Sequence, residues 1–118
     1  MRAADKLARL RKALALARLD FDAVIAKCRA GALQLHDTQQ ACAITAITVS
    51  GPHKTCHVVA LAGTMAGVPE IEAVVEAYAK KSGCQMIEMD ARSGWSRSNV
   101  PGELGYKPVL TKYRKELD

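Results

Sequence analysis

His53, Cys56 and His57 bring metal-ligating side chains together in this chain of 118 residues and invite a zinc reading. Zinc takes about four such ligands in a structural site. Neighbours on a strand point to opposite faces, so Cys56 and His57 do not readily share an ion, and no metal site is expected. Cys28, Cys42, Cys56 and Cys84 contain no Cys-x-x-Cys pair. Each falls inside an expected regular element or at its edge, which fits reduced cysteines of the core rather than a disulfide framework. Cys84 would need a base beside it to act as a nucleophile, and none is identifiable. Arg92, Trp95 and Arg97 form the most unusual cluster. Trp and Arg are enriched where partners bind, but a Trp can equally plug the end of a sheet beneath a stacked Arg. Packing is the favoured role for Trp95. Arg92 and Arg97 stand evenly between packing and partner contact.

The net charge is +5, and all of it sits on the first segment. Residues 1–18 carry Arg2, Lys6, Arg9, Arg11, Lys12 and Arg18 against Asp5 alone, and the remainder is balanced. A cationic helix can dock on phosphates or on an acidic partner; the plainer reading is a solvated polar face. Arg2, Lys6, Arg9 and Lys12, together with Arg92, Trp95 and Arg97, are therefore the candidate partner-binding residues. Aromatic residues make up only 4%, too few for a platform that stacks single-stranded nucleic acid. No apolar run reaches the ~18–20 residues of a membrane helix. The basic N-terminus lacks the uninterrupted apolar stretch of a secretory signal. With 49% apolar and 25% charged residues, the expectation is a single soluble domain over 1–118.

The elements that must position these residues follow from periodicity. Leu7, Leu10, Leu14 and Ala17 mark one face of a helix over 3–18. Asp20 reads as the N-cap of a second helix over about 21–30, and Gly31 ends it. The period then changes. Strands are expected over 32–36, 42–49 and 55–62, the second with a bulge because its alternation is imperfect. Turns at 37–40 and 50–54 make these an antiparallel meander. Gly63 to Gly67 is a loop, and Pro69 opens a helix with an apolar face of Val68, Ile71, Val74, Val75, Tyr78 and Ala79. Gly83 stops it. A strand over 85–90 holds Met86 and Ile87 inside. A short helical stretch and a last strand over 106–115 complete the chain. The fold class is α+β: a mixed sheet of about five strands in the order α-α-β-β-β-α-β-α-β, with a parallel crossover between strands three and four.

That order resembles the GNAT superfamily of N-acetyltransferases without its usual first strand and one late strand. The likeness covers residues 5–116 as topology. Its most specific part is the C-terminal half, where Lys81-Ser82-Gly83-Cys84 ends a helix and Leu104-Gly105-Tyr106-Lys107 leads into the closing strand. The chain also resembles a family of small tailed-bacteriophage proteins with a reduced GNAT domain. The shared features are Gly31 before Gln34 and Leu35, then Leu61-Ala62-Gly63, Gly83-Cys84, Arg92-x-Gly94-Trp95-x-Arg97 and Gly105-Tyr106. Ala91 stands where that family often has Gly.

The GNAT resemblance implies a place for the pyrophosphate of acetyl-CoA, at a motif Arg/Gln-x-x-Gly-x-Gly/Ala before a helix. Here Gly63 and Gly67 are four apart and the Arg or Gln is absent. Pro69 removes a donor, and Glu70 and Glu72 set negative charge at the helix start, against anion binding. Many of these enzymes carry a Tyr acid on the late helix, and none lies between Gly94 and Glu103. Candidate bases are His57, Glu88 and Asp90, each more simply read as a surface or strand-end group. No catalytic residue, cofactor or metal is assigned. The phage resemblance implies a non-catalytic virion or assembly component, in the virion or host cytoplasm. It would bind other phage structural proteins or its own copies, with DNA contact through the basic helix and no membrane. A small acetyl-CoA-dependent N-acetyltransferase is the alternative.

Overall fold

A computed structural model describes residues 2–89 and Lys115. Helix α1 spans Ala3–Leu16 and α2 spans Phe21–Arg29. They precede strands β1 (Gln34–Asp37), β2 (Ala41–Ser50) and β3 (His53–Gly63). A 3-10 turn, Met65–Gly67, leads into α3, Val68–Lys81, and β4, Met86–Met89, follows. The described sheet is ordered β1-β2-β3-β4, antiparallel except where β3 and β4 run parallel. This is the expected mixed α+β sheet, with four strands. The expected fifth strand and short helix lie outside the described residues, as do Asp90, Arg92, Trp95 and Arg97.

Helix α1 stops two residues short of its expected end. Arg18 adopts a left-handed φ of 59°. Its N–H donates to Ala15 O and that of Leu19 to Leu14 O, closing the last turn. Gly31 does the same for α2, with a φ of 84°. An arginine gives no such stop signal in sequence. Asp20 caps α2 as expected, its carboxylate accepting from Ala23 N at 3.0 Å. Strand β1 begins at Gln34 rather than at residue 32 because the Ala32 and Leu33 amides still donate to Lys27 O at the end of α2.

The sheet has a core on each face. Leu10, Leu14 and Val24 pack on Cys42, Ile44, Ala60 and Ala62. On the other face Ile71, Val75 and Ala79 pack on Ala41, Ala43, Cys56 and Val58. Even-numbered residues of β3 thus face α3 up to Val58 and face α1 from Ala60. Register explains the switch: Thr45 pairs with Val58 and Ile44 with Ala60, leaving Val59 as an extra residue. The irregularity expected within β2 is seen at Ile44/Thr45, but the inserted residue belongs to β3. One such residue reverses the facing of everything beyond it.

Three packing expectations need correction. Leu7 is 52% exposed, because α1 turns Leu10, Ala13 and Leu14 to the sheet instead. Met86 is 44% exposed, since in β4 Ile87 and Met89 join the α3-side core. Val74 lies on the flank of α3 and is also exposed. All four cysteines are free, Cys42 and Cys56 buried, Cys28 and Cys84 half-buried. Burial pushes the Cys28, Cys42 and Cys56 thiols up.

Candidate functional site

The loop from Gly63 to Pro69 is built by close approach of the β1–β2 turn. Gly63 has a φ of 141°, and a Cβ there would collide with the Gln40 carbonyl oxygen and with Ala41. A Cβ on Gly67 would sit 2.7 Å from the Gln40 Cβ. Both glycines are therefore demanded by a neighbouring backbone. Thr64 N donates to Gln40 O at 3.1 Å. Gly67 N donates to Thr64 Oγ1 at 3.1 Å and to Thr64 O at 3.0 Å, and Val68 N donates to Met65 O. Pro69 has no N–H. The Thr64, Gly67 and Val68 amides are thus committed inside the fold, and Glu70 adds negative charge in the first turn of α3. These residues do not fit the pyrophosphate of coenzyme A, which requires converging free N–H groups.

Helix α1 is tied down beside this loop. Arg9 Nη1 donates to Gly63 O at 2.9 Å. Lys6 Nζ donates to Asp37 Oδ1 at 2.7 Å and to Thr38 O at 2.8 Å, and its side chain is only 13% exposed. Two of the four candidate docking residues on α1 thus hold the helix to the ends of β1 and β3. Arg2 lies at the surface 3.8 Å from Asp5, and Lys12 is exposed. Arg11 stacks 4.0 Å above the Phe21 ring. Much of the positive charge of the first segment is therefore occupied internally.

The candidate bases are arranged differently. His57 and Glu88 are paired in register across β3 and β4, so their side chains share a face. Cys56 and Val58 belong to the α3-side core, which directs His57 to the α1 side. Cys56 and His57 therefore point to opposite faces. His57 is half-buried and Glu88 exposed. Within the described residues the β3–β4 register runs from Thr55 and Met86 to Val58 and Met89.

Sequence reasoning missed two features. Gln40 fills the concavity of the loop with its main chain, which no side-chain pattern could signal. A polar cluster also links β1, β2 and α3: Thr45 Oγ1 donates to Gln34 Oε1 at 3.2 Å and lies 2.9 Å from His36 Nε2. The signal for it was the alternation Gln34, His36 opposite a Thr among Ile and Ala.

No protein-family model matches the sequence, and no curated protein is similar to it. Solved structures are similar in fold. An acetyltransferase of Trypanosoma brucei has a TM-score of 0.66 at 12% identity, covering 99% of this chain and 96% of that one. Glucosamine-6-phosphate N-acetyltransferase of Arabidopsis thaliana gives 0.67 at 12%, covering 100% and 95%. A GCN5-related N-acetyltransferase of Ralstonia eutropha gives 0.67 at 14%, covering 96% and 88%. The chain has a GNAT-like acetyltransferase fold. Fold at this level of identity does not fix activity.

Proposed function

We propose that the protein is a non-catalytic GNAT-like component of a phage particle or its assembly, acting through protein–protein contacts. One observation supports the non-catalytic part: in the loop before α3, the Thr64 amide donates to Gln40 O and the Gly67 amide to Thr64. The likeness to the phage family at Gly31, Leu61-Ala62-Gly63 and Gly83-Cys84 supports the assembly part. Contact with a partner falls to the exposed Arg2 and Lys12 of α1, and to Arg92, Trp95 and Arg97 beyond the described residues. DNA contact through α1 is a weaker form of the same reading, because Lys6 and Arg9 are engaged internally. The test is quantitative mass spectrometry of purified particles carrying the protein or its Arg2→Glu/Lys12→Glu form. A fixed copy number that the double substitution lowers agrees with the reading. Absence of the protein from particles and from assembly intermediates contradicts it.

Acetyl transfer is the second reading, favoured by the registered His57–Glu88 pair across β3 and β4. It requires saturable acetyl-CoA binding and a transferase activity that Glu88→Gln lowers.

A further inference from the structure

Thr45 is the one buried polar residue among the described residues, with no exposed surface at all. Its hydroxyl has a single proton, lies beside the Cys56 thiol, and donates to Gln34 Oε1. The 2.9 Å contact with His36 is then satisfied only if the imidazole donates from Nε2. On its other side the His36 ring lies against the Tyr78 ring of α3, with centroids 4.7 Å apart and planes tilted by 59°. One imidazole thus ties the four-residue strand β1 to β2 by a hydrogen bond and to α3 by ring packing.

We propose that His36 is an acid-sensitive latch, holding β1 on the sheet while neutral and releasing it when protonated. The Nε2–H donated to Thr45 leaves Nδ1 as the site for the incoming proton. That proton would place a full charge on a half-buried ring, which is costly without a counter-charge. None is offered by the described neighbours. From β2, Thr45 and the register partner Ala43 are neutral. From β3, the Cys56 thiol beside Thr45 is pushed up by burial and stays protonated. From α3, Tyr78 presents its ring, and the exposed Lys81, three residues on, is itself a cation. Glu70 shares the Tyr78 flank but sits about 12 Å earlier along α3, while Glu72 lies on the other flank and Glu76 and Lys80 point away from the sheet by helical spacing. On β1 itself, Asp37 alternates to the other face and is paired with Lys6.

Burial correspondingly pushes the His36 imidazole below its ordinary value. The unfolded or released strand then binds the proton more tightly than the latched one. The latch is complete above the free-histidine pKa and weakens as pH falls through the folded value. Each unit of depression corresponds to about a tenfold change in the release equilibrium.

Residue-resolved amide exchange between pH 7.5 and pH 5, corrected for intrinsic rates, tests this in the full chain. Protection of Gln34–Asp37 is expected to fall, while the β2–β3 pairing around Ile44 and Ala60 keeps its protection. In His36→Gln, whose amide donates but does not titrate, β1 protection should not change with pH. Constant β1 protection in the wild type, an equal loss in the variant, or a parallel loss across β2 and β3 would overturn the proposal. Nitrogen NMR of the wild-type imidazole gives a second reading independent of the variant's folding. An Nε2–H tautomer titrating below a free histidine supports the latch, and an Nδ1–H tautomer or an ordinary titration refutes it.

Discussion

The two ends of β3 use the same strand for opposite purposes. At its C-terminal end, Gly63 is wedged against Gln40, Arg9 reaches Gly63 O, and the following amides are bonded within the fold. In the N-terminal half, His57 stands in register with Glu88 on a face that the described helices leave partly open. Under the proposed reading the C-terminal end is a structural joint, while the end that carries His57 and Glu88 has no such commitment. The two ends differ in whether backbone donors are spent within the fold.

If the joint is structural, breaking it should cost stability as a core residue does. Leu14→Ala sets the scale, because Leu14 is fully buried between α1 and the sheet. A loss of about 3–4 kcal/mol is expected in chemical denaturation. Gly63→Ala should follow at about 3 kcal/mol, from left-handed strain together with collision against the Gln40 and Ala41 backbone, which has no flexible end to yield. A neutral Gly63→Ala would show that the joint is loose and the comparison false.

Thr45→Val probes the interior near the other half of the strand. It preserves shape and strands both Gln34 and His36, at about 1–3 kcal/mol. Lys6→Met removes the ties to Asp37 and Thr38 from a largely buried side chain. About 1 kcal/mol is expected, discounted because Asp37 itself is exposed. Leu7→Ala, on the same helix but outside the seam, should stay within about 0.5 kcal/mol. If Leu7→Ala costs as much as Leu14→Ala, the placement of α1 is wrong.

The architecture was readable because it is written in local signals. Asp20 caps α2, Gly31 ends it, Pro69 opens α3, and the Ile/Val/Thr runs at 42–49 and 55–62 give the meander. What escaped was decided by contacts distant in sequence. Arg18 ends α1 in a conformation usually left to glycine. The inserted residue sits in β3 because the cores on both faces must be filled, not because either strand's alternation says so. That the Gly63–Gly67 loop is a poor phosphate site is legible in the glycine spacing, the absent Arg or Gln, Pro69, Glu70 and Glu72. The physical reason, a carbonyl from the β1–β2 turn lodged against the loop, could not be seen without Gln40 in place. Lys6 and Arg9 show the same limit: their charge was legible, but not that it is spent on Asp37, Thr38 and Gly63.

Whether the loop before α3 can seat a pyrophosphate is decided by titrating an isotope-labelled sample with coenzyme A to millimolar concentration and following the amide resonances of residues 64–68. These signals are expected not to move, and calorimetry to show no saturable heat. A single-site isotherm accompanied by large shifts of the Thr64, Gly67 and Val68 amides would contradict the non-catalytic reading.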